Sequence, residues 1–445
     1  MATTVSRIED QAATGVRLLR NYVNGQWVEA GGSTLEVTNP ATGAVLARVP
    51  LSTAEDVDRA VTAARAAFPA WRATPVLERA RYFFRVKNLM EEHLEELTTI
   101  LVDEVGKAMP DARAEIRRGI EMVEVATGMP SLMMGTNLED VARGIDCDSV
   151  RQPIGVFAAI TPYNFPAMVP MWFLPFAVAC GNTFILKPSE QVPLSSIRLF
   201  ELMEQAGFPP GVVNLVNGAR DAVNALLDHK GINGISFVGS AVTAKYVYAK
   251  AAEHGKRVQA LGGAKNHLVV MPDCVMDKTL DAINSSAFGA AGQRCLAGSV
   301  VVAVGDAYEP LKEGLIRTAG ALKVQDGHKE DTDVGPVVSE AQKSKVLGWI
   351  EKGIEGGAEL ILDGRTNAAV EGEGCFLGPT IFDNVQPEME IAREEIFGPV
   401  LSIVRARDLD HALSIVNASR YGNATSIFTS SGGAVRQFKY NVQAG

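Results

Sequence analysis

The chain is poor in cysteine, carries no excess of positive charge and lacks the GxGxxG fingerprint of dinucleotide folds. Five of its 445 residues are cysteine: Cys147, Cys180, Cys274, Cys295 and Cys375. They are odd in number, widely spaced and form no CxxC pair. That pattern excludes a disulfide framework and a zinc site, and no metal is expected. It fits reduced thiols and a cytoplasmic location. Lys and Arg number 42 against 52 Asp and Glu, a formal net charge of −10. No basic run is interleaved with aromatics, so a nucleic-acid surface, which needs concentrated Lys and Arg, is excluded. The start, "MATTVSRIEDQAATG", has no apolar core and reads as no secretory signal. Low-complexity tracts are also absent.

Uninterrupted apolar runs are missing too. The most apolar stretch, "IGVFAAITPYNFPAMVPMWFLPFAVACGNTFIL", is punctuated by prolines at 162, 166, 170 and 175. It reads as a buried strand, a turn and a helix rather than a membrane span. What remains is a globular composition, 47% hydrophobic and 21% charged. The length suits two or three domains.

From about residue 150 to 260 strands and helices alternate at a spacing of roughly 20 to 30 residues, the size of a βαβ unit. "IGVFAAITP", "NTFILKPSE", "GVVNLVNG" and "GISFVGS" read as strands. Helices follow each of them over 166–180, 193–207, 220–230 and 241–255. The strands are apolar runs rather than alternating patterns, which implies burial on both faces of a parallel sheet. This is the pattern of a doubly wound α/β domain. A second α/β block follows, with strands at "HLVVMP", "SVVVAVGD", "GPTIFDNV", "GPVLSIVRA" and "ATSIFTS". Helices are expected over 276–292 and 310–324. The first 130 residues are helix-rich from residue 53 onward, with Thr53 as N-cap and Glu55 and Asp56 in the first turn. Residues 135–153, "GTNLEDVARGIDCDSVRQP", are polar enough for an exposed excursion.

Several short motifs carry chemistry. "SFVGSAVTA" ends a strand and opens a helix at Gly239 and Ser240. A pyrophosphate could meet free N–H groups there, and so could an ordinary turn occupy the place. In "LKPSE", Lys187 to Glu190, a carboxylate after a strand accepts from ribose hydroxyls and repels a 2′-phosphate, favouring NAD over NADP. The alternative is a solvated loop charge. "TPYNFP", 161–166, lies just past a strand end. Asn164 could offer an amide N–H to an oxyanion or bond its own turn. "FGAAGQRCLAG", 288–298, leaves three readings of Cys295: a buried inert thiol, a thiol lining a pocket at a helix end, or a thiolate favoured by Arg294 if that side chain turns to the sulfur.

"TPYNFP", "KPSE", "SFVGS", "GQRC" and "EEIFGP" fall in the order and spacing of the aldehyde dehydrogenase superfamily. The resemblance runs from "NYVNGQWV" to "ATSIFTS", essentially the whole chain. Within that superfamily, "TPYNFPAMVPMWFLPFAVACGNTFILKPSE" and "GAKNHLVVMPD" resemble the CoA-acylating methylmalonate-semialdehyde dehydrogenases. The resemblance implies an α/β fold with a Rossmann-type NAD-binding domain, an α/β catalytic domain and an oligomerisation hairpin. The implied boundaries are 1–133 for the N-terminal part of the NAD-binding domain and 134–153 for the oligomerisation excursion. The NAD-binding core covers 154–261 and the catalytic domain 262–445.

The resemblance also implies roles. Cys295 is the nucleophile, and Asn164 with the Cys295 N–H forms the oxyanion hole. Lys187 and Glu190 hold the adenosine ribose, Ser240 lies by the pyrophosphate and Glu395 orients the nicotinamide ribose. Thr161, Tyr163, Gln191 and Gly262 line the cofactor groove. Arg118 and Arg294 clamp a substrate carboxylate; from the residues alone, Arg118 beside Arg117, Glu115 and Glu121 reads as a surface ion pair. The hydrolytic enzymes of the superfamily carry a glutamate in an E-L-G-G stretch. Here "QALGGAKNH" puts Ala260 there, and alanine cannot act as a base. A thioester on Cys295 would then persist until a thiol such as CoA took the acyl group. The expected activity is NAD-dependent, CoA-acylating and decarboxylating oxidation of malonate or methylmalonate semialdehyde. Two alternatives stand: a hydrolytic NAD-dependent aldehyde dehydrogenase, and an inactive binding or structural relic lacking the family's C-terminal segment. A homo-oligomer, a tetramer in the family, is expected if the C-terminal strand is present. No membrane partner is expected.

Overall fold

The computed structural model of the chain describes residues 16–445; the expectation of no secretory signal at the start concerns residues outside the described ones. Two compact units divide the chain. The first takes the residues up to Asn39, Ala44–Glu104 and Ala112–Gly262; the second takes Pro40–Gly43, Val105–Asp111 and Gly263–Gly445. Among the described residues no helix is long and apolar enough to cross a membrane.

The first unit is built on a seven-stranded sheet. Its order is Arg257–Gly262, Gly234–Gly239, Val156–Ile160, Thr183–Lys187, Val213–Leu215, Asn21–Val23 and Gln26–Val28. The first five strands run parallel, Asn21–Val23 runs against them, and Gln26–Val28 pairs antiparallel with Asn21–Val23. Every residue of Thr183–Lys187 and Val213–Leu215 is buried, because helices pack on both faces of a parallel sheet. Val156, Ile160, Ile185, Val216, Ile235 and Phe237 anchor one side of that core. The four crossover helices are Met168–Ala179, Leu194–Ala206, Arg220–Asp228 and Ala241–Glu253. In chain order the strands start at Val156–Ile160, move one way through Thr183–Lys187, then return to Gly234–Gly239 on the other side. The reversal falls between Val156–Ile160 and Gly234–Gly239. At such a switch point two loops diverge and leave a crevice beyond the strand C-termini.

The helix-rich start is Ala54–Ala73, Val76–Glu92, Leu94–Val105 and Met109–Thr127. Thr53 does cap the first, with its N–H donating to Asp56 Oδ2 at 2.8 Å. The excursion is an antiparallel hairpin, Thr136–Ala142 with Ile145–Ser149, exposed at every position.

The second unit holds a six-stranded sheet in the order Glu359–Leu362, Thr380–Asp383, Val400–Ala406, Gly298–Val304, Asn266–Val270 and Thr425–Phe428. Only Glu359–Leu362 is antiparallel. One expectation fails here: the helix read over 276–292 stops at Phe288. Ala290 and Ala291 take φ of 51° and 52°, and Gly292 takes 70°. Alanine is a helix former by propensity, so the small-residue run hides a left-handed turn that tertiary contacts impose.

Candidate functional site

In the second unit, that left-handed turn delivers Cys295. For L-residues this conformation costs roughly 1–2 kcal/mol per residue, so something must hold it. Asp111 Oδ2 accepts from the Ala290 N–H at 2.9 Å. Gln293 is buried and its Oε1 accepts from the Val338 N–H at 3.1 Å. Past the turn, Asn266 Nδ2 donates to the carbonyls of Cys295 at 2.8 Å and Ala297 at 2.9 Å. Asn423 Nδ2 donates to the same Cys295 carbonyl at 2.9 Å. A peptide fixed from both sides leaves the thiol on a rigid stem between helix Met276–Phe288 and strand Gly298–Val304.

A cavity opens at this thiol, lined by Cys295, Arg294, Ala264, Asn266, Glu395 and Phe397 among others. Burial pushes the Cys295 thiol above its ordinary value, and the Glu395 carboxylate adds to that; the backbone N–H groups of Cys295 and Leu296 act the other way. Arg294 turns to Asp111, with Nη2 2.7 Å from Oδ1, and to the Ser285 carbonyl at 3.2 Å. The reading in which Arg294 favours the thiolate therefore gives way: Asp111 has already engaged that charge, and the thiol is raised, not lowered. The guanidinium still borders the cavity. Glu395 accepts from the Ala264 N–H at 3.2 Å. Its carboxyl is also raised, chiefly by burial.

In the first unit, the strand-end residues cluster by topology. Ile160 pairs with both Lys187 and Phe237, so the loops after all three strands start side by side. Thr161 and Asn164 are buried and Tyr163 is half-buried. The Thr161 hydroxyl is buried without a hydrogen-bond partner among the described residues. Lys187, 4% exposed, pairs with Glu190 at 2.9 Å. Gln191 next to it is exposed. Ser240 caps Ala241–Glu253, its Oγ accepting from the Thr243 N–H at 3.3 Å. Gly262 stands against that helix start: a Cβ there would lie 2.7 Å from Ala244 Cβ and 2.8 Å from the Gly239 carbonyl. Ala260, in Arg257–Gly262, packs with Val258 on the core of this unit. Arg118 is exposed and paired with Glu121 at 2.7 Å.

Sequence reasoning missed Asp111, Asn266 and Asn423, whose jobs depend on contacts distant in sequence. It also missed Lys265. That side chain is 2% exposed and its Nζ has no hydrogen-bond partner among the described residues. Burial lowers it to about 7, opposed by Glu395 and Glu394. A lysine between the small run Gly262–Ala264 and the strand that begins at Asn266 was the available signal.

The sequence model of the Aldehyde dehydrogenase family matches residues 27–445. Malonate-semialdehyde dehydrogenase 1 of Geobacillus thermodenitrificans is 53% identical over 433 residues, covering 97% of this chain and 90% of that protein. The crystal structure of methylmalonate-semialdehyde dehydrogenase from Oceanimonas doudoroffii superposes with a TM-score of 0.94 at 44% identity, covering 97% of this chain and 88% of that one. The NAD+ complex of an aldehyde dehydrogenase from Bacillus cereus superposes with a TM-score of 0.93 at 33% identity, covering 96% and 88%. With these matches across nearly its whole length, the chain belongs to the aldehyde dehydrogenase family.

Proposed function

We propose that this protein oxidises malonate semialdehyde, or its methyl homologue, with NAD, releases carbon dioxide and transfers the acyl group to CoA. The product is acetyl-CoA or propionyl-CoA; a pocket rarely discriminates strongly by one methyl. The relatives named for these semialdehydes support the substrate class. Ala260 is the observation that carries the CoA half of the reading. It leaves the position that holds the water-activating glutamate of hydrolytic relatives without a carboxylate.

The first unit's crevice suits a dinucleotide. The buried Thr161 hydroxyl has no hydrogen-bond partner among the described residues, the Ala241–Glu253 helix opens there, and Gly262 leaves no side chain at the close approach. Lys187 and Glu190 would take the adenosine ribose, Ser240 the pyrophosphate and Glu395 the nicotinamide ribose. Thr161, Tyr163, Gln191 and Gly262 would line the groove. When bound, NAD supplies the hydride acceptor. Cys295 supplies the thiolate that adds to the aldehyde carbon, and its N–H with the Asn164 amide would stabilise the oxyanion. The resulting thioester has a carboxylate β to its carbonyl, so loss of carbon dioxide leaves an enolate that takes up a proton. Attack by the CoA thiolate then frees Cys295 as thiolate. Arg294 and Arg118 would hold the substrate carboxylate as guanidinium forks. The Asp111 pair gives Arg294 a fixed aim.

The test is a rapid-mixing assay without CoA. One equivalent of NADH per site should form, followed by a phase at least roughly tenfold slower, and CoA should restore full turnover. Steady NADH release indifferent to CoA would instead favour the hydrolytic enzyme.

The reading extends to a reducing cytoplasmic location, supported by five unpaired cysteines, and to a homo-oligomer. The support for the latter is the hairpin, where Leu138, Val141 and Ile145 are 60%, 52% and 56% exposed. An isolated two-stranded ribbon is marginal in water, and a second copy would cover it. Light scattering should give a mass above one chain, lowered by Leu138→Asp; one-chain mass for the unaltered protein would rule out this role.

A further inference from the structure

Three of the four crossover helices of the first unit begin without a capping side chain of their own, and two of these follow the loops that carry the candidate site residues. Ala167 stands at the N-cap of Met168–Ala179 and Pro193 at that of Leu194–Ala206. Helix starts leave backbone N–H groups unpaired, and a carboxylate is favoured there by the helix dipole. Both starts recruit one from far away in sequence. Glu115 Oε1 accepts from the N–H groups of Ala167 at 2.9 Å and Met168 at 3.1 Å. Glu104 accepts from Leu194 at 2.6 Å through Oε2 and from Ser195 at 2.9 Å through Oε1. Glu104 is 1% exposed and Glu115 2%.

These starts are where the two strand-end loops finish. The loop after Val156–Ile160 carries Thr161, Tyr163 and Asn164 and ends at the Glu115 contact. The loop after Thr183–Lys187 carries Glu190 and Gln191 and ends at the Glu104 contact. At their other ends the loops are joined by the Thr161 N–H, which donates to the Lys187 carbonyl at 3.1 Å. A further tie runs from Ser196 Oγ to the Pro166 carbonyl at 3.1 Å. Each loop is thus pinned at strand and helix, and the helix pin is a buried carboxylate.

We propose that Glu115 and Glu104 are positioning residues, Glu115 fixing the loop that carries Asn164 and Glu104 fixing the loop that carries Glu190 and Gln191. This rests on the function proposed above. Taking a carboxylate out of water carries a desolvation cost that its hydrogen bonds must offset, and here those bonds hold each helix start in one place. The Glu104 carboxyl, pushed up to about 7 by burial against the pull of the Ser195 and Leu194 N–H groups, illustrates the cost. A local Ser or Asp cap would satisfy the helix without it.

The two loops have different jobs, so the two carboxylates should fail differently. NAD affinity is read by calorimetry, the NADH burst rate at saturating NAD by rapid mixing, and stability by thermal melting. Glu104→Ala should weaken NAD binding about tenfold and leave the saturated burst within about twofold; Glu115→Ala should slow the burst about tenfold and leave NAD affinity within about threefold. Glu104→Gln and Glu115→Gln keep an acceptor oxygen and should recover most of each loss while folding normally. Affinity and burst falling together in both alanine variants, in step with the melting temperature, would mean that the glutamates only hold the fold and would overturn the proposal. Unchanged affinity and burst in stable variants would overturn it too. An unaltered protein that bound NAD but needed no CoA would remove the acyl-transfer reading and leave the split between the variants as the measure of this one.

Discussion

Cys295→Ala is expected to abolish the NADH burst, lowering the rate of aldehyde oxidation by at least about a thousandfold while NAD affinity stays near its original value. The substitution removes the sulfur and little else. The stem is held by Asn266 and Asn423 through the Cys295 carbonyl, which alanine keeps. A burst that survived would place the nucleophile elsewhere. The same cysteine should show its environment when NAD is absent. Burial raises the thiol above its ordinary value, so at neutral pH the thiolate is a minority that grows as pH rises. Iodoacetamide labelling of the Cys295 peptide, followed by mass spectrometry, should therefore quicken about tenfold per pH unit from about pH 6 to 8. A plateau within that range would mean a depressed thiol, and would return Arg294 to the role that its Asp111 pair takes from it.

The first unit was the more legible in sequence because its signals are local. A strand buried on both faces is a short apolar run, and a helix ends where a glycine such as Gly207 turns left-handed, φ 80°. Hence the strands and helices from 154 to 255 were all anticipated, and with them the loops that carry Thr161, Asn164, Lys187 and Ser240. The Arg257–Gly262 strand was not anticipated. Its outward residues Arg257, Gln259 and Leu261 are exposed, so it alternates instead of running apolar and ends at Gly262, with Gly263 directly after it. In the second unit, the helices Glu340–Glu355, Leu409–Asn417 and Gly432–Asn441 are not among those that the sequence predicts. Gly348 and Gly353 interrupt the first of these and Gly432 and Gly433 open the last, although glycine is a poor helix former. At the site, the residue identities Cys295, Arg294 and Glu395 were readable as motifs. The partner of Arg294 was not, because Asp111 lies 183 residues away and nothing in its own segment marks it.

Gly292→Ala should damage both the catalytic turn and the fold. Gly292 has φ 70°, and a Cβ built there would lie 2.2 Å from the Gly398 carbonyl oxygen, 2.5 Å from its carbon and 2.9 Å from the Pro399 nitrogen. Ala290 and Ala291 tolerate the same left-handed backbone at a modest cost, so φ alone does not decide the matter. The neighbour does: it is main chain, which cannot rotate away as a side chain can. Either the turn leading to Cys295 moves or the segment around Gly398 moves. The latter includes Phe397, itself at φ 61°, and follows directly from Glu395. An ångström of displacement at a reacting group is worth about a hundredfold in rate, and that is the expected loss in the burst at saturating NAD. The melting temperature should fall by about 5–10 °C, as overpacking against backbone costs a few kcal/mol. Gly289→Ala is the control. Its φ is −55°, and the three atoms nearest to its Cβ would all belong to the Arg294 guanidinium, with Nη2 at 2.6 Å, which a flexible side chain can withdraw. Stability should then hold, and the loss should appear as a raised KM for the aldehyde because Arg294 leaves its place beside Asp111. Equal and small effects of the two substitutions on burst and melting would show that the contact with Gly398 does not set the position of Cys295.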